Sequence, residues 1–195
     1  MSKKEYKVMY VCGGYIPELK TERLLLRKLM RKDSKEIYTI WSDPKVTAYM
    51  NISAMHSVQE AEDMIDLLDQ VSRTEDGFRY AIILQESGTV IGSCGFNNWQ
   101  LQGAFRGEIG YELASTHWRK GYMTEALRAL LQYGFETMGL NRIEALVDPR
   151  NTASQQLLHA LSFQCEGLLR QLHYTSTGYK DMQMHSILFE EWKYK

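Results

Sequence analysis

The sequence contains few cysteines, which cross-link small domains, and few prolines, which are common in linkers between domains. Its three cysteines, Cys12, Cys94 and Cys165, are widely spaced and form no Cys-x-x-Cys pair, so neither a disulfide framework nor a structural zinc site is predicted. A reducing compartment, the cytoplasm, is the expected location. With only three prolines and no repeated, Pro-rich or Ser-rich segment, the sequence predicts a single domain over residues 1–195, in which residues 1–20 are an N-terminal extension.

The sequence also lacks long apolar runs and an excess of either charge. No apolar run approaches the roughly 20 residues of a membrane-spanning helix and no signal peptide is recognisable, so a soluble protein without a membrane partner is expected. The formal net charge of −1 argues against a broad basic surface for nucleic acid. The five histidines show no ligand spacing, so no metal is expected. Any anionic ligand must therefore be bound by a local feature.

Hydrophobic periodicity predicts a mixed α/β sheet. A short apolar patch at residues 8–11 is either a leading strand or an ordered arm. Strands are predicted over residues 21–29, 78–85, 89–96, 105–114 and 141–148, two more lie between residues 166 and 192 around a loop at 174–180, and helical spacing occurs over residues 34–42, 57–73, 127–138 and 151–163. The expected architecture has six or seven mostly antiparallel strands and about four helices.

The order of these elements predicts one parallel pair of strands. Residues 78–114 read as an antiparallel meander of three strands, whereas a helix separates the strand at 105–114 from the strand at 141–148. A strand–helix–strand crossover of that length places its two strands side by side and parallel. Gly107 and Gly110, within the first of these strands, indicate a bulge or the close approach of another backbone.

Residues 117–127 join that strand to the next helix through a cationic loop, His-Trp-Arg-Lys-Gly-Tyr-Met-Thr-Glu-Ala-Leu. The first backbone N–H groups of a helix have no partner within it and carry the positive end of its dipole. Gly121 leaves room for a phosphate and takes left-handed dihedrals readily, and Arg119 and Lys120 add positive charge. The loop is therefore a candidate phosphate site, although an ordinary exposed turn explains the same residues.

Residues 90–165 resemble, in order and spacing, the acyl-CoA-binding core of the GCN5-related N-acetyltransferases (GNAT), and the resemblance extends across nearly the whole chain. The motifs at residues 21–27, 107–111, 118–126 and 151–154 look like the Rim-type branch (RimJ and RimL), which acetylates the N-terminal amine of ribosomal proteins. The resemblance implies the GNAT fold, in which the parallel pair of strands is splayed at a bulge and leaves room for the pantetheine arm of CoA.

The resemblance also implies which residues hold acetyl-CoA as a cosubstrate. They are Tyr111, Glu112 and Leu113 beside the pantetheine arm, Trp118, Arg119, Lys120, Gly121, Tyr122, Met123 and Thr124 around the pyrophosphate, and Asn151 at the following helix. In the family pattern the loop begins with Gln or Arg and ends with Gly or Ala. This sequence has Trp118 and Met123 at those positions, and Arg119 where the branch often has Gly.

Acetyl transfer from a thioester to an amine requires a base for the ammonium proton and a donor for the departing thiolate. Glu108 is the candidate base, acting directly or through water; the alternatives are an ordinary strand carboxylate beside Arg106, or Glu112 as the base. In the Rim-type branch, the Ser that corresponds to Ser154 is placed to protonate the thiolate. Many relatives use a Tyr instead, but the tyrosines weighed for that position, Tyr133 and those of the C-terminal tail, do not match it. Asn151 and Ser154 also serve as ordinary helix-capping residues.

The acceptor is the least constrained part of this reading. The resemblance favours a protein N-terminus, while neighbouring relatives accept small amines, polyamines or antibiotics, and a degenerate CoA-binding module without turnover is a further alternative. Residues 41–55, 97–102 and 174–180 are expected to line the acceptor site. A monomer and a homodimer paired through the tail strands are both compatible with the sequence. Cys165 is expected to be a small buried residue rather than a nucleophile.

Replacing Gly121 with glutamate tests the loop assignment. The new side chain fills the space beside the helix N-terminus and adds a negative charge there, so we expect Gly121→Glu to weaken acetyl-CoA binding by about tenfold or more. Isothermal titration calorimetry measures the affinity. Unchanged binding would contradict the assignment of residues 118–124 to the pyrophosphate.

Overall fold

The helices and strands are those of a computed structural model, which describes residues 15–50, 52–74, 77–101, 103–175 and 178–193. The helices in these ranges are α1 (Ser34–Trp41), α2 (Pro44–Thr47), α3 (Val58–Thr74), α4 (Tyr122–Gln132), α5 (Thr152–Ala160) and α6 (Phe189–Trp192). The strands are β1 (Leu19–Lys20), β2 (Leu24–Lys28), β3 (Phe78–Leu84), β4 (Val90–Gln100), β5 (Arg106–Leu113), β6 (Arg142–Val147), β7 (Gln164–Thr175) and β8 (Gly178–Leu188). A π-helical turn (Tyr133–Thr137) extends α4. Across the described ranges, no helix combines the length and apolarity that crossing a membrane requires.

The strands form one mixed sheet in the order β1-β2-β3-β4-β5-β6-β8-β7. Only β5 and β6 are parallel among the described neighbours, as the crossover predicted, and the others are antiparallel. The predicted fold class is confirmed. The sheet contains eight strands rather than six or seven because Leu19 and Lys20 pair with β2 as a short additional strand. The apolar patch at residues 8–11 lies outside the described residues.

Alternation along the strands divides the core between the two faces of the sheet. On one face, Tyr80 and Ile82 of β3 are buried in the same cluster as the apolar side chains of α4 and α5. On the other face, Ala81 and Ile83 belong to a second cluster that includes α1 and α3. Because successive strand residues point to opposite faces, each strand supplies side chains to two separate layers of helices.

A bulge in β4 sets the geometry of β5. Phe96 pairs with Ile109 and Asn98 pairs with Glu108, so Asn97 is the extra residue between them. The sequence indicated an irregularity at this place from the glycines of β5, but the extra residue belongs to the neighbouring strand. A bulge bends and twists the strand that carries it, and this one lies opposite the point at which β5 begins to separate from β6.

Gly107 and Gly110 are needed because side chains approach β5 closely. A Cβ added at Gly107 would lie 2.7 Å from the ring of Phe96, and one at Gly110 would lie 2.5 Å from the side-chain oxygen of Asn97. The close approach predicted from the sequence therefore occurs, but with side chains rather than with another backbone. It packs Phe96 on one face of β5 and polar groups on the other.

The segment after α5 contains a strained turn and one wrong expectation. Ser162 occupies the turn position for which glycine is usual, and its φ of 72° is left-handed, which is strained for a residue with a side chain. Cys165 was expected to be buried but is exposed. The reason is topological: β7 is the edge strand of the sheet, and its residues 164–172 are all exposed. The expectation of burial relied on the amphipathic helix that precedes Cys165, and such a helix does not indicate whether the next strand lies at the edge of the sheet.

We expect Gly107→Ala to destabilise the fold by about 1–3 kcal/mol, because the added methyl group overpacks the core against Phe96. Urea unfolding measures the change. Gly88→Ala is the control, since a Cβ at Gly88 meets no atom within 4 Å and introduces only the cost of its left-handed backbone, about 1 kcal/mol. If Gly107→Ala is no more destabilising than Gly88→Ala, the packing argument is wrong.

Candidate active site

The candidate site is the gap between β5 and β6. These strands pair only where residues 106–108 meet residues 142–144, whereas β4 follows β5 to Leu113 and β8 follows β6 to Val147. Past this short ladder the strands diverge. A cavity of about 900 Å³ opens there, lined by residues 108–113 on one side and 145–148 on the other. The backbone N–H and C=O groups that face such a gap have no neighbouring strand and can form hydrogen bonds with a ligand.

The predicted anion loop lies at one end of this gap. Gly121 caps α4 with a φ of 79°, and Arg119 is also left-handed, with a φ of 62°, although it lacks the conformational freedom of glycine. Trp118 ties the loop to β5, because its Nε1 donates to the carbonyl of Leu113 at 2.8 Å. Met123 is only 9% exposed and packs in the main core, so this departure from the family pattern points largely into the protein.

Arg23, the residue before β2, holds the loop in place through its side chain. Its Nη1 donates to the carbonyl of Lys120 at 3.0 Å, its Nε donates to Glu125 at 2.7 Å, and its guanidinium lies 4.5 Å from the centroid of the Tyr122 ring. Burial raises the pKa of Glu125, but hydrogen bonds from Thr21 and Arg23 outweigh that effect, so the net shift is downward. Arg23 thus neutralises a carboxylate that would otherwise repel an anion at the N-terminus of α4.

Glu108, the candidate base, lines the cavity and is half-buried. It accepts hydrogen bonds from Asn97 Nδ2 at 3.0 Å and from Asn98 Nδ2 at 3.4 Å. The alternative pairing with Arg106 does not form, because Arg106 binds Glu144 instead. Two neutral amide donors orient the Glu108 carboxylate without cancelling its charge.

Glu112 shares a strand face with Glu108, but its carboxylate is fully engaged. It accepts from the indole nitrogen of Trp41 at 3.1 Å and from Arg79 and Ser93, and its side chain is 4% exposed. Arg79 also donates to Asn97 Oδ1 at 3.2 Å. Glu112 is therefore an anchor that holds Arg79, and a less available base than Glu108.

Ser154 reaches the cavity from the opposite face of the sheet, in the first turn of α5. Asn151 caps this helix, because its Oδ1 accepts the backbone N–H of Ser154 at 3.1 Å. The Oγ of Ser154 lies 2.6 Å from the hydroxyl of Tyr111, whose ring packs against the main core. The capping function expected for Asn151 is present, and it fixes the position of Ser154 beside the gap.

The wall of the cavity that α1, α2, α3 and the segment between α2 and α3 form is largely apolar. Its side chains are those of Trp41, Val46, Tyr49, Met50, Ile52, Met64 and Leu68. Residues 41–55 and 97–102, expected around the acceptor, both reach the cavity. The described residues of the loop at 174–180, expected there too, do not line it, although His173 and Met182 of the adjoining strands do. Nearby, Arg150 pairs with Asp148 at 2.6 Å and lies 5.9 Å from the centroid of the Tyr49 ring.

The structure brings nearly all of the predicted site residues to one cavity. Among them are Glu108, Tyr111, Glu112, Leu113, Trp118, Arg119, Gly121, Tyr122, Met123, Thr124, Asn151 and Ser154, while Lys120 is exposed beside it. Sequence reasoning missed Arg23 and Arg79. A lone arginine in the apolar run at residues 78–84 was the available signal for Arg79, because a charge in a buried strand needs a partner. Within the described ranges, no three His, Cys, Asp or Glu side chains gather as a metal site.

Comparison with known protein sequences identifies similar proteins. A sequence model described as an acetyltransferase (GNAT) domain matches residues 23–164. The chain is 45% identical over 174 residues to a Bacillus licheniformis protein named uncharacterized N-acetyltransferase p20, covering 89% of this chain and 97% of that protein. It is 25% identical over 129 residues to the [ribosomal protein uS5]-alanine N-acetyltransferase of Escherichia coli (strain K12), covering 66% of each.

Comparison with solved structures gives a concordant result. The solved structure of Mycobacterium smegmatis RimJ in complex with CoA-disulfide superposes with a TM-score of 0.83 and 25% sequence identity. The match covers 91% of this chain and 90% of that one. The eight-stranded sheet and its divergent parallel pair are thus the framework of a known fold.

The buried ion pair between Arg79 and Glu112 is expected to contribute to the stability of the fold in a way that single and double substitutions can measure. We expect Arg79→Met and Glu112→Leu each to destabilise the fold by about 3–5 kcal/mol, because each leaves the partner's charge buried and unpaired. The double substitution should cost clearly less than the sum of the two. Urea unfolding tests this, with Glu62→Leu as the control, since its partner Arg31 is 57% exposed and the expected loss is about 1 kcal/mol or less. Additive losses would show that the two charges are not coupled.

Proposed function

Since this chain belongs to the acetyltransferase (GNAT) family, we propose that it transfers an acetyl group directly from acetyl-CoA to a primary amine. The single observation that carries the proposal is the divergence of β5 and β6, because it opens one cavity to groups from both faces of the sheet. Glu108 lies on one face and Ser154 on the other. The free thiols of Cys94 and Cys165 fit the compartment we propose for this activity, the cytoplasm.

The residues present suit acetyl-CoA as the cosubstrate. The left-handed Arg119 and Gly121 turn the loop ahead of the N-terminus of α4, where backbone N–H groups and the helix dipole favour a pyrophosphate. The gap beside residues 109–113 offers strand backbone to the amides of a pantetheine arm. Acetyl-CoA supplies the thioester carbonyl that the amine attacks. Arg23 supports binding indirectly, by holding Lys120 and neutralising Glu125.

Glu108 and Ser154 carry the proposed chemistry. Glu108 takes the proton of the incoming ammonium group, which leaves a neutral amine as the nucleophile. The two asparagine amides that bind Glu108 orient its carboxylate toward the cavity. Ser154 donates its hydroxyl hydrogen toward the departing thiolate from the opposite face. Neither cysteine that the structure describes is placed to form an acyl-enzyme, because burial raises the pKa of Cys94 to about 12 and Cys165 is exposed on the edge strand.

We propose that the acceptor is a monocationic amine next to an apolar group, such as the N-terminal amine of a protein. The aromatic, methionine and aliphatic side chains of α1 to α3 suit an apolar first residue. The carboxylate of Glu112 is matched by Arg79 and that of Asp148 by Arg150, which leaves Glu108 for one positive charge. A polyamine or an aminoglycoside needs several unmatched carboxylates. The relative named for the alanine of ribosomal protein uS5 is consistent with a peptide acceptor.

The direct test is to incubate the protein with acetyl-CoA and a panel of amines while following the release of free thiol. We expect turnover with peptides that begin with an apolar residue and little with spermidine. Turnover with no member of the panel, together with intact binding of CoA, would instead support a CoA-binding module without catalysis. Preference for spermidine would overturn the acceptor class but retain the enzyme class.

We expect Glu108→Gln to lower kcat/KM by about 10²–10³-fold at neutral pH, because the amine substrate then stays protonated. The deficit should shrink as the pH rises toward the pKa of the amine, since solvent then supplies the neutral form. Glu136→Gln is the control: it removes a carboxylate that is exposed on the π-helical turn and bound by Gln132. A deficit that stays constant across the pH range would argue against Glu108 as the base.

A further inference from the structure

The contact between Tyr111 and Ser154 joins two elements that are distant in the chain. The two hydroxyl oxygens are 2.6 Å apart although the residues are separated by 43 positions. Tyr111 extends from β5 on the face that carries Ile109 and Leu113, and Ser154 comes from the start of α5. Both residues line the cavity. The pair therefore spans the gap at which β5 and β6 diverge.

Either hydroxyl can donate in this hydrogen bond, and the chemistry of the two groups favours Tyr111 as the donor. A serine hydroxyl has one hydrogen and two lone pairs, and so does the phenol of tyrosine. The phenol is the more acidic of the two and thus the better donor. Burial raises the pKa of Tyr111 to about 12, so its proton stays in place throughout the neutral range. With Tyr111 as the donor, the hydrogen of Ser154 is free to point elsewhere.

The position of Ser154 is fixed independently of its hydroxyl. Its backbone N–H is bound by the side chain of Asn151 at 3.1 Å, which holds the first turn of α5. Rotation about the side-chain bonds is then the main freedom left to the hydroxyl group. The bond from Tyr111 restricts that rotation, because an oxygen that accepts from one side presents its hydrogen on another.

We propose that Tyr111 is a positioning residue that donates to Ser154 and so directs the hydroxyl of Ser154 at the sulfur of CoA. This inference rests on the proposed function, in which the C–N bond forms as the C–S bond breaks and the electron pair of the C–S bond stays on sulfur. The nitrogen loses one proton as the amide forms, and the thiolate gains one, so the reaction balances without an added reactant. Tyr111 acts through Ser154 and does not itself touch the sulfur.

The test measures the thiol of bound CoA and needs no turnover. Ultraviolet absorbance of the thiolate is followed against pH in complexes with CoA, with desulfo-CoA as the blank. We expect Ser154→Ala to raise the pKa of the bound thiol by about one unit and Tyr111→Phe to raise it by about half a unit, because each removes a donor or its orientation. The variant with both substitutions should match Ser154→Ala alone. Glu108, Asp148 and His117 also line the cavity, but they are common to all variants and cancel in the comparison.

Tyr80→Phe is the matched control. It also removes one tyrosine hydroxyl from a partly buried hydrogen bond, the bond to the carbonyl of Pro17 at 2.9 Å, and it should leave the thiol pKa unchanged. If Tyr111→Phe leaves the thiol pKa at the wild-type value, or if it raises that pKa equally in the Ser154→Ala background, the proposal is overturned.

Kinetics provide a second readout where the wild-type protein turns over. Tyr111→Phe should lower kcat about five- to tenfold with the KM for acetyl-CoA within about twofold, because the lost hydrogen bond acts on the leaving group rather than on binding. If Tyr111→Phe instead lowers kcat/KM by the same factor through a higher KM, with kcat unchanged, then Tyr111 acts by packing against the cofactor and the proposal is contradicted. Absence of acetyl transfer in the wild-type protein contradicts the proposed function, whereas the thiol titration still decides the role of Tyr111.

Discussion

The short parallel ladder between β5 and β6 is the constraint on which the site depends. Pairing stops after residues 106–108, yet each strand keeps its other neighbour for its remaining length. The sheet therefore stays intact on both sides of the opening, and the gap cannot close without breaking a complete ladder. Its walls are rigid backbone rather than loops, which is the kind of support that holds reacting groups within a fraction of an ångström.

Residue parity on β5 explains how one strand supplies side chains to both faces of the proposed site. Even-numbered residues, among them Glu108, Gly110 and Glu112, face the layer of α1 to α3, and odd-numbered ones, including Tyr111, face α4 and α5. Gly110 has no side chain, and the amide of Asn97 and the guanidinium of Arg79 occupy the space that a Cβ would need. A continuous row of polar side chains thus runs from Glu112 through Arg79 and Asn97 to Glu108, beside the largely apolar wall that α1 to α3 form.

The sequence predicted those features of the site that depend on residues close together in the chain. The loop at residues 118–124 and the cap at Asn151 were found because glycine, cationic residues and capping side chains sit at fixed offsets from hydrophobic runs. The contact of Tyr111 with Ser154 depends on the register of two distant elements, so it carries no comparable signal. The same holds for the bulge, which the sequence marked through glycines but which belongs to Asn97. Cys165 was misjudged because burial at the edge of a sheet depends on strand order, which its neighbours in sequence do not encode.

The order of the loop at residues 118–124 bears on the entropy of ligand binding. Arg119 holds a left-handed backbone that costs a non-glycine residue of the order of 1 kcal/mol, and Arg23 donates a hydrogen bond to the adjoining Lys120 carbonyl. The loop is therefore ordered by the folding of the whole chain. An anion bound as proposed would meet an ordered loop, so little conformational freedom would be lost on binding. Preorganisation of this kind would let a protein with almost no net charge hold a polyanion through a few backbone groups.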